Sequence, residues 1–291
     1  MKVGVIGLGA MGTGMARNLA KAGFLSGVYN RTSAKADSLA NELAITAYTT
    51  IGHLAAHVEL IISCVSADAD VLEVVNAIAN SGNPNLIVVD TSTVSRQTAQ
   101  QAATLLAAHK IGFLDAPVSG GVEGANKGTL AMMVGGEIAI LDQVRPALDA
   151  ISARILHLGE HGAGQACKAV NQIMVAGINQ AVCEALAFAD AQNLDLAKVI
   201  EVVSGGAAGN WFLQHRGHTM SQDSFNPGFK LALHHKDLLI CQQMAQQTET
   251  RSPLTETTLA DYAQLIQQGH GNEDISALFQ VIRKTPPRGK Q

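Results

Sequence analysis

The chain has 291 residues and a formal net charge of −4, with 47% apolar and 15% charged residues. That length suits two domains of ordinary size, and the apolar share supplies a large core, which excludes a disordered chain. The slight negative charge leaves no electrostatic footprint for nucleic acid or for an anionic membrane surface, so neither is expected as a partner.

Taken in order, the first half alternates short apolar runs with segments of helical period. Strands are expected at 3–7, 26–30, 45–49, 60–65, 86–92, 113–118, 129–136 and 153–159. Several are continuous β-branched runs, as strands buried on both faces of a parallel sheet should be. Helical periodicity falls at 11–22, 33–43, 69–80, 95–109 and 137–150. Repeated β-α alternation implies an α/β fold with a doubly wound, mostly parallel sheet of the Rossmann type. From Gly164 the alternation stops, and a long apolar helix through "GQACKAVNQIMVAGINQAVCEALAFADAQ" leads into further helices. Pro253 suits the first position of one of them and Gly269 its end. The expected division is a dinucleotide-binding domain at 1–162 and an all-helical domain at 163–291.

The four cysteines, Cys64, Cys167, Cys183 and Cys241, form no C-x-x-C pair and no ligand spacing with His. They are expected as buried thiols of a reducing compartment, with no metal. Glu59, Asn179, Gln180 and Glu184 interrupt the most apolar segments, so none reaches about 20 uninterrupted apolar residues. A soluble, cytoplasmic protein is the expectation.

The opening stretch carries the first chemical signal. Gly7-Leu8-Gly9-Ala10-Met11-Gly12 fits G-x-G-x-x-G between an apolar strand and an amphipathic helix. Gly7 permits the tight turn, Gly9 lets backbone approach a pyrophosphate, and Gly12 lets helix and strand pack closely. The helix N-terminus then offers free N–H groups and a positive dipole end to phosphates. After the second strand an NAD site places Asp or Glu for the ribose 2′-OH, but here stand Asn30, Arg31, Thr32 and Ser33. A carboxylate repels a 2′-phosphate, whereas Arg31 pairs with one, so NADP(H) is expected over NAD(H).

Three further segments complete a pattern: "FLDAPVSGGVEGANKGTLAMMVGG" (113–136), "GAGQACKAVNQ" (162–172) and "FNPGFKLALHHKDL" (225–238). With the glycine fingerprint, and in this order, they make nearly the whole chain resemble the β-hydroxyacid dehydrogenases. That group contains 3-hydroxyisobutyrate dehydrogenase, tartronate semialdehyde reductase and the glyoxylate/succinic semialdehyde reductases. The resemblance implies a 6-phosphogluconate dehydrogenase-like fold, commonly assembled as homodimer or homotetramer. Its activity would be interconversion of a small hydroxyacid and its semialdehyde by hydride transfer.

Carried over by the resemblance, the catalytic lysine is Lys168. Lys168, Asn171, Gln172 and Val175 are spaced to share one helix face, where burial would lower the lysine's pKa toward a useful acid/base range. Asn171 would hydrogen-bond that lysine or the substrate hydroxyl. Gln172 stands where much of the family has a second Asn, as in the tartronate semialdehyde reductase-like branch. Ser119, Gly120 and Gly121 match the segment that binds the substrate carboxylate. Thr93 matches a contact near the nicotinamide, and Val65 and Ser66 match the loop after the fourth strand, where the family commonly has Pro at the position of Ser66. Lys236 is expected to reach cofactor or substrate, with Asp237 orienting it. His234 and His235 read as packing or capping residues. Trp211 lines the substrate pocket or packs in the core, and both readings stand at this point. Imine reductases share the architecture but generally lack the lysine. Non-catalytic dinucleotide-binding relatives lose it and append basic or reader domains. NAD-dependent oxidation of the 3-hydroxyisobutyrate type remains the alternative among enzymes.

Overall fold

The computed structural model describes residues 1–283 and divides into two compact units, Met1–Lys168 and the chain from Ala169 onward. Residues 284–291, assigned with the helical domain above, lie outside the described residues.

The first unit runs β1 (Val3–Ile6), α1 (Ala10–Lys21), β2 (Leu25–Tyr29), α2 (Ser33–Leu43), β3 (Thr46–Ala47), α3 (Ile51–Ala55), β4 (Leu60–Ser63), α4 (Asp68–Ala79), β5 (Ile87–Asp90) and α5 (Arg96–Ala108). It continues through β6 (Gly112–Asp115), β7 (Val118–Ser119), α6 (Gly121–Lys127), β8 (Leu130–Gly136), α7 (Ile138–Leu148) and β9 (Ser152–Gly159) into the start of α8 (Ala163–Ala191). The sheet order is β3-β2-β1-β4-β5-β6-β8-β7, with β9 on the free side of β8. The pairs from β3 to β6 are all parallel, whereas β8 runs antiparallel to β6 and β7. The chain reverses its winding between β1 and β4, the switch point at whose carboxyl end such sheets bind ligands.

Alternating side chains serve opposite faces of the sheet, which is why those runs are apolar throughout. Val5, Ile62, Val89 and Leu114 enter one core with Met15 and Leu19 of α1. Ile6, Ile61, Val88 and Phe113 enter the other with Val75 of α4 and Ala102 of α5. The expected strand 113–118 is broken at Pro117, which has no N–H to donate. β7 nonetheless keeps the register of β6 on β8, pairing Val118 with Met132, and across the interruption the Pro117 carbonyl accepts from the Met133 amide. Two short helices, α3 and α6, were absent from the sequence reading because neither is long enough to show a period.

The second unit continues α8 and adds α9 (Leu196–Ser204), α10 (Trp211–Ser221), α11 (Leu231–Gln247) and α12 (Pro253–Gln267). Two short 3-10 turns, His270–Asn272 and Ile275–Leu278, precede α13 (Phe279–Arg283). Pro253 occupies the first turn of α12, and Gly269 follows its end with φ +93°. By length and composition α8 is apolar enough to cross a membrane, so a run free of charge is not needed to pass that test. Two of its polar residues are bonded within this unit: buried Asn179 donates to the Tyr262 hydroxyl (3.0 Å) and the Ile275 carbonyl (2.8 Å), and Gln180 donates to Asp261 (2.8 Å). All four cysteines are free thiols, but only Cys183 and Cys241 are buried; Cys64 and Cys167 are half-buried.

Candidate active site

The glycine loop joins β1 to α1. Gly7 has φ +90°, and a Cβ there would strike the Cys64 carbonyl. A Cβ on Gly12 would strike the Gly7 carbonyl, so the first turn of α1 lies directly on the loop. Gly9 is different, because a Cβ there would meet nothing within 4 Å. No side chain caps α1, and its first turn carries no acid. The orphan N–H groups of that turn and the open space at Gly9 together form the cradle a pyrophosphate requires. These residues fit a dinucleotide.

Asn30 closes the loop from the side. Its Oδ1 accepts from the Leu8 amide at 2.8 Å and its Nδ2 donates to the Thr32 carbonyl at 3.0 Å. Asn30 thus fixes the loop to the end of β2, a task the sequence reading did not anticipate. Arg31 follows with its side chain 81% exposed and one ion pair, Nη1 to Asp70 Oδ1 at 3.2 Å. Thr32 is the N-cap of α2, yet its hydroxyl makes no capping bond.

The carboxyl ends of β4 and β5 are tied together by buried Asp90. Its Oδ1 accepts from the hydroxyls of Ser63 and Ser92, each at 2.7 Å, and the Ser92 hydroxyl in turn accepts from the Val65 amide at 2.9 Å. Val65 and half-exposed Thr93 are thereby held by one cluster, with exposed Ser66 beside them.

Asp115, fully buried at the end of β6, does the equivalent for α8. Its Oδ1 accepts from the Gly162 amide (2.7 Å) and its Oδ2 from the Gln165 amide (3.0 Å). The carboxylate caps a helix 47 residues further along the chain. Burial pushes its pKa up to about 6, against the opposing pull of those two N–H groups and of His161. Gln165 reaches the neighbouring strand end: its Oε1 accepts from the Val94 amide at 3.1 Å and its Nε2 donates to the Ser92 carbonyl at 2.9 Å. Both residues escaped the sequence reading. The available signal was an Asp inside the apolar run "FLDAPV", a charge that pays for burial only when bonded.

Lys168 lies one turn beyond Gln165 and is 7% exposed. Its Nζ donates to the Val118 carbonyl at 2.9 Å. That carbonyl immediately precedes Ser119-Gly120-Gly121, whose glycines have φ +129° and +60°. The left-handed backbone there requires glycine. An ammonium and a glycine-built turn are therefore brought side by side within the first unit.

In the second unit a polar chain starts on the same helix. Asn171 Nδ2 donates to Gln172 Oε1 at 2.8 Å, and Gln172 Nε2 donates to Asp237 Oδ2 at 2.6 Å. Asp237 also pairs with Lys236 (2.9 Å), so one buried carboxylate positions both. His234 is fully buried between the Tyr262 hydroxyl (3.1 Å) and the Gln172 carbonyl (3.2 Å), while His235 is only half-buried. Trp211 is 58% exposed and stacks on His215 with ring centres 4.2 Å apart, so it is no part of the core; Phe212 is. Among the described residues no three His, Cys, Asp or Glu side chains converge as metal ligands.

A glycine cradle at a sheet switch point, together with a buried lysine at the strand ends, defines a dinucleotide-binding oxidoreductase. Residues 2–159 match the NAD binding domain of 6-phosphogluconate dehydrogenase, and residues 162–282 match the NAD-binding region of NADP-dependent 3-hydroxyisobutyrate dehydrogenase. The sequence is 36% identical to 2-hydroxy-3-oxopropionate reductase of Escherichia coli over 97% of either chain. It is 30% identical to NAD-dependent L-serine dehydrogenase of Pseudomonas aeruginosa over 98% of either chain. The structure superposes on 3-hydroxyisobutyrate dehydrogenase of Mycobacterium tuberculosis, solved with L-serine, at a TM-score of 0.89 and 30% identity, covering 97% of this chain and 99% of that one. The chain belongs to the β-hydroxyacid dehydrogenase family, and it is an NAD(P)-dependent hydroxyacid dehydrogenase.

The raised pKa of Asp115 has a direct consequence for stability. An unfolded Asp titrates near ~4, so between there and about 6 the fold retains a proton that the unfolded chain releases. This group's contribution is therefore greatest at low pH, falls as pH rises from about 4 to about 6, and is flat above. Urea unfolding of wild type and Asp115→Asn should show their stability difference moving against the wild type by on the order of 2–3 kcal/mol across that window. A difference independent of pH would remove the buried charge from the stability of this unit.

Proposed function

We propose that this enzyme is an NADP(H)-dependent reductase of small semialdehyde acids, also able to run in the hydroxyacid-oxidising direction, with Lys168 as proton donor. The observation that carries the reading is the placement of the Lys168 ammonium, buried and 2.9 Å from the Val118 carbonyl at the mouth of Ser119-Gly120-Gly121. A substrate carboxylate held by the Ser119 hydroxyl and the glycine amides would set its carbonyl group next to that ammonium. When bound, the nicotinamide supplies the hydride to the carbonyl carbon. Lys168 gives its proton to the oxygen as negative charge develops there, and takes it back as a base in the reverse direction. Asn171, on the same face of α8, would bond the substrate hydroxyl or the lysine, with Gln172 beside it, and the family resemblance extends the proposal to Lys236 as a contact of cofactor or substrate. Val65, Ser66 and Thr93 flank the nicotinamide half.

Arg31 and Thr32 support the cofactor preference. A largely exposed guanidinium and an uncommitted hydroxyl stand at the N-terminus of α2, where a 2′-phosphate would also meet the helix dipole. The reading competes with NAD-dependent oxidation, which the serine dehydrogenase relative performs under its own name. We further infer a homodimer or homotetramer, because α8 exposes Val170, Met174 and Phe188. Three large apolar side chains on one helix are the usual material of a subunit interface.

A panel of glyoxylate and the succinic, tartronate and methylmalonate semialdehydes with NADPH and NADH tests the whole reading. One or more should be turned over with higher kcat/KM for NADPH, and a clear NADH preference or no turnover at all would contradict it. Arg31→Ala should lower kcat/KM for NADPH by roughly 10- to 100-fold and leave NADH nearly unchanged, as loss of one charge-assisted bond requires. Lys168→Ala should abolish turnover while NADPH affinity stays within a fewfold of wild type, and retained turnover would take the proton from another group. Light scattering should give a mass of two or four chains, reduced by Met174→Glu; a monomeric wild type would dismiss the interface.

A further inference from the structure

Gln165 ties the helix that carries Lys168 to the loop that carries Thr93. Its side chain is 1% exposed. Its amide is bonded on both sides to main chain, accepting from Val94 N–H at 3.1 Å and donating to the Ser92 carbonyl at 2.9 Å. Those are the peptide groups on either side of Thr93. The arrangement copies one rung of strand pairing with a side chain, and it leaves no polar atom of the amide unsatisfied.

The other end of the residue is equally fixed. The Gln165 backbone amide donates to Asp115 Oδ2 at 3.0 Å. Next to it, a Cβ on Gly164 would lie 2.7 Å from the Asp115 carbonyl oxygen and 2.8 Å from Asp115 Oδ2. The first turn of α8 therefore sits in backbone contact with the end of β6 and cannot slide along it. Lys168 follows at i+3, on the side of the helix that Gln165 presents to the strand ends.

We propose that Gln165 is a positioning residue that sets the distance between the Lys168 ammonium and the Thr93 loop, and so between proton donor and hydride donor. This inference rests on the functional reading given above for Lys168 and Thr93. The carbon that takes the hydride and the oxygen that takes the proton are bonded to each other, about 1.2 Å apart. The two donors must then be held to within about 0.5 Å of their working geometry, and residues behind the site do this holding. A Gln serves because it alone among side chains of that length offers a neutral donor and acceptor in one plane. Glu keeps the bond from Val94 but turns a lone pair toward the Ser92 carbonyl. Met keeps the volume and loses both bonds.

The test compares wild type, Gln165→Met and Gln165→Glu in three readouts. Hydrogen exchange by mass spectrometry is followed on the cofactor-free peptide containing Val94. NADPH affinity is followed by fluorescence, and turnover with the best aldehyde of the panel is followed using NADPH and its 4-deuterated form. In Gln165→Met the Val94 peptide should exchange at least tenfold faster and kcat should fall roughly ten- to hundredfold, as about 1 Å of misplacement requires. NADPH Kd should stay within threefold, and the deuterium isotope effect on kcat should rise as hydride transfer becomes slower than the other steps. Gln165→Glu should lie between the two in every readout, and it decides by the same criteria if Gln165→Met does not fold. Unchanged kcat in a variant whose Val94 peptide exchanges faster would overturn the proposal. So would kcat and cofactor affinity falling in equal proportion, the signature of a merely structural role. Turnover surviving Lys168→Ala is a separate result, which overturns the functional reading of the lysine rather than the clamp.

Discussion

The Asp115 carboxylate, buried at the end of β6 and bonded to two amides at the start of α8, is the contact from which the site is built. A carboxylate with no access to water is costly, and the cost is offset in part by N–H groups that the helix cannot satisfy itself. Because those donors lie at Gly162 and Gln165, the bond fixes both the position and the rotation of the helix that carries Lys168. Glycines at 135, 162 and 164 make the approach possible, since side chains there would collide with Asp115 or with Arg96. Lys168 then reaches the Val118 carbonyl as a consequence of where its helix is made to begin.

Two helix N-termini in this unit receive opposite treatment. At α8 the protein supplies its own anion, and the terminus is closed. At α1 no side chain caps the first turn, no acid stands in it, and Gly9 faces open space. The free donors and the dipole of α1 thus remain open, as a phosphate would require, while those of α8 hold the helix that carries Lys168. Between the two termini the ends of β4 and β5 are locked by Asp90, Ser63 and Ser92. A dinucleotide bound at those strand ends would meet a floor already fixed by these bonds.

Much of this was legible in the sequence. Buried parallel strands declare themselves as unbroken apolar runs, and G-x-G-x-x-G declares the turn because Gly7 and Gly12 each answer a local steric demand while Gly9 leaves space open. The lysine face at 168, 171, 172 and 175 follows from helical spacing alone, and the resemblance supplied the chemistry proposed for it. What the sequence concealed depends on pairing across distance. Asp115 meets its partners 47 and 50 residues away, and Gln165 meets Val94 and Ser92 71 and 73 residues away. No local pattern records such contacts. The break at Pro117 was visible in principle, since a residue without an N–H cannot continue a ladder bonded on both sides. Trp211 kept two readings because amphipathic aromatics serve cores and surfaces alike, and only its exposure excluded the core.

The central claim is that Lys168 delivers a proton, beyond placing a positive charge near the substrate. Chemical rescue separates the two. Lys168→Ala, assayed at saturating cofactor and aldehyde, should regain turnover saturably with ethylammonium, which has a transferable proton and the size of the missing side-chain end. Tetramethylammonium, a cation with no such proton, should restore nothing. Equal rescue by both cations, or full turnover of the variant with neither present, would contradict a proton-donating Lys168.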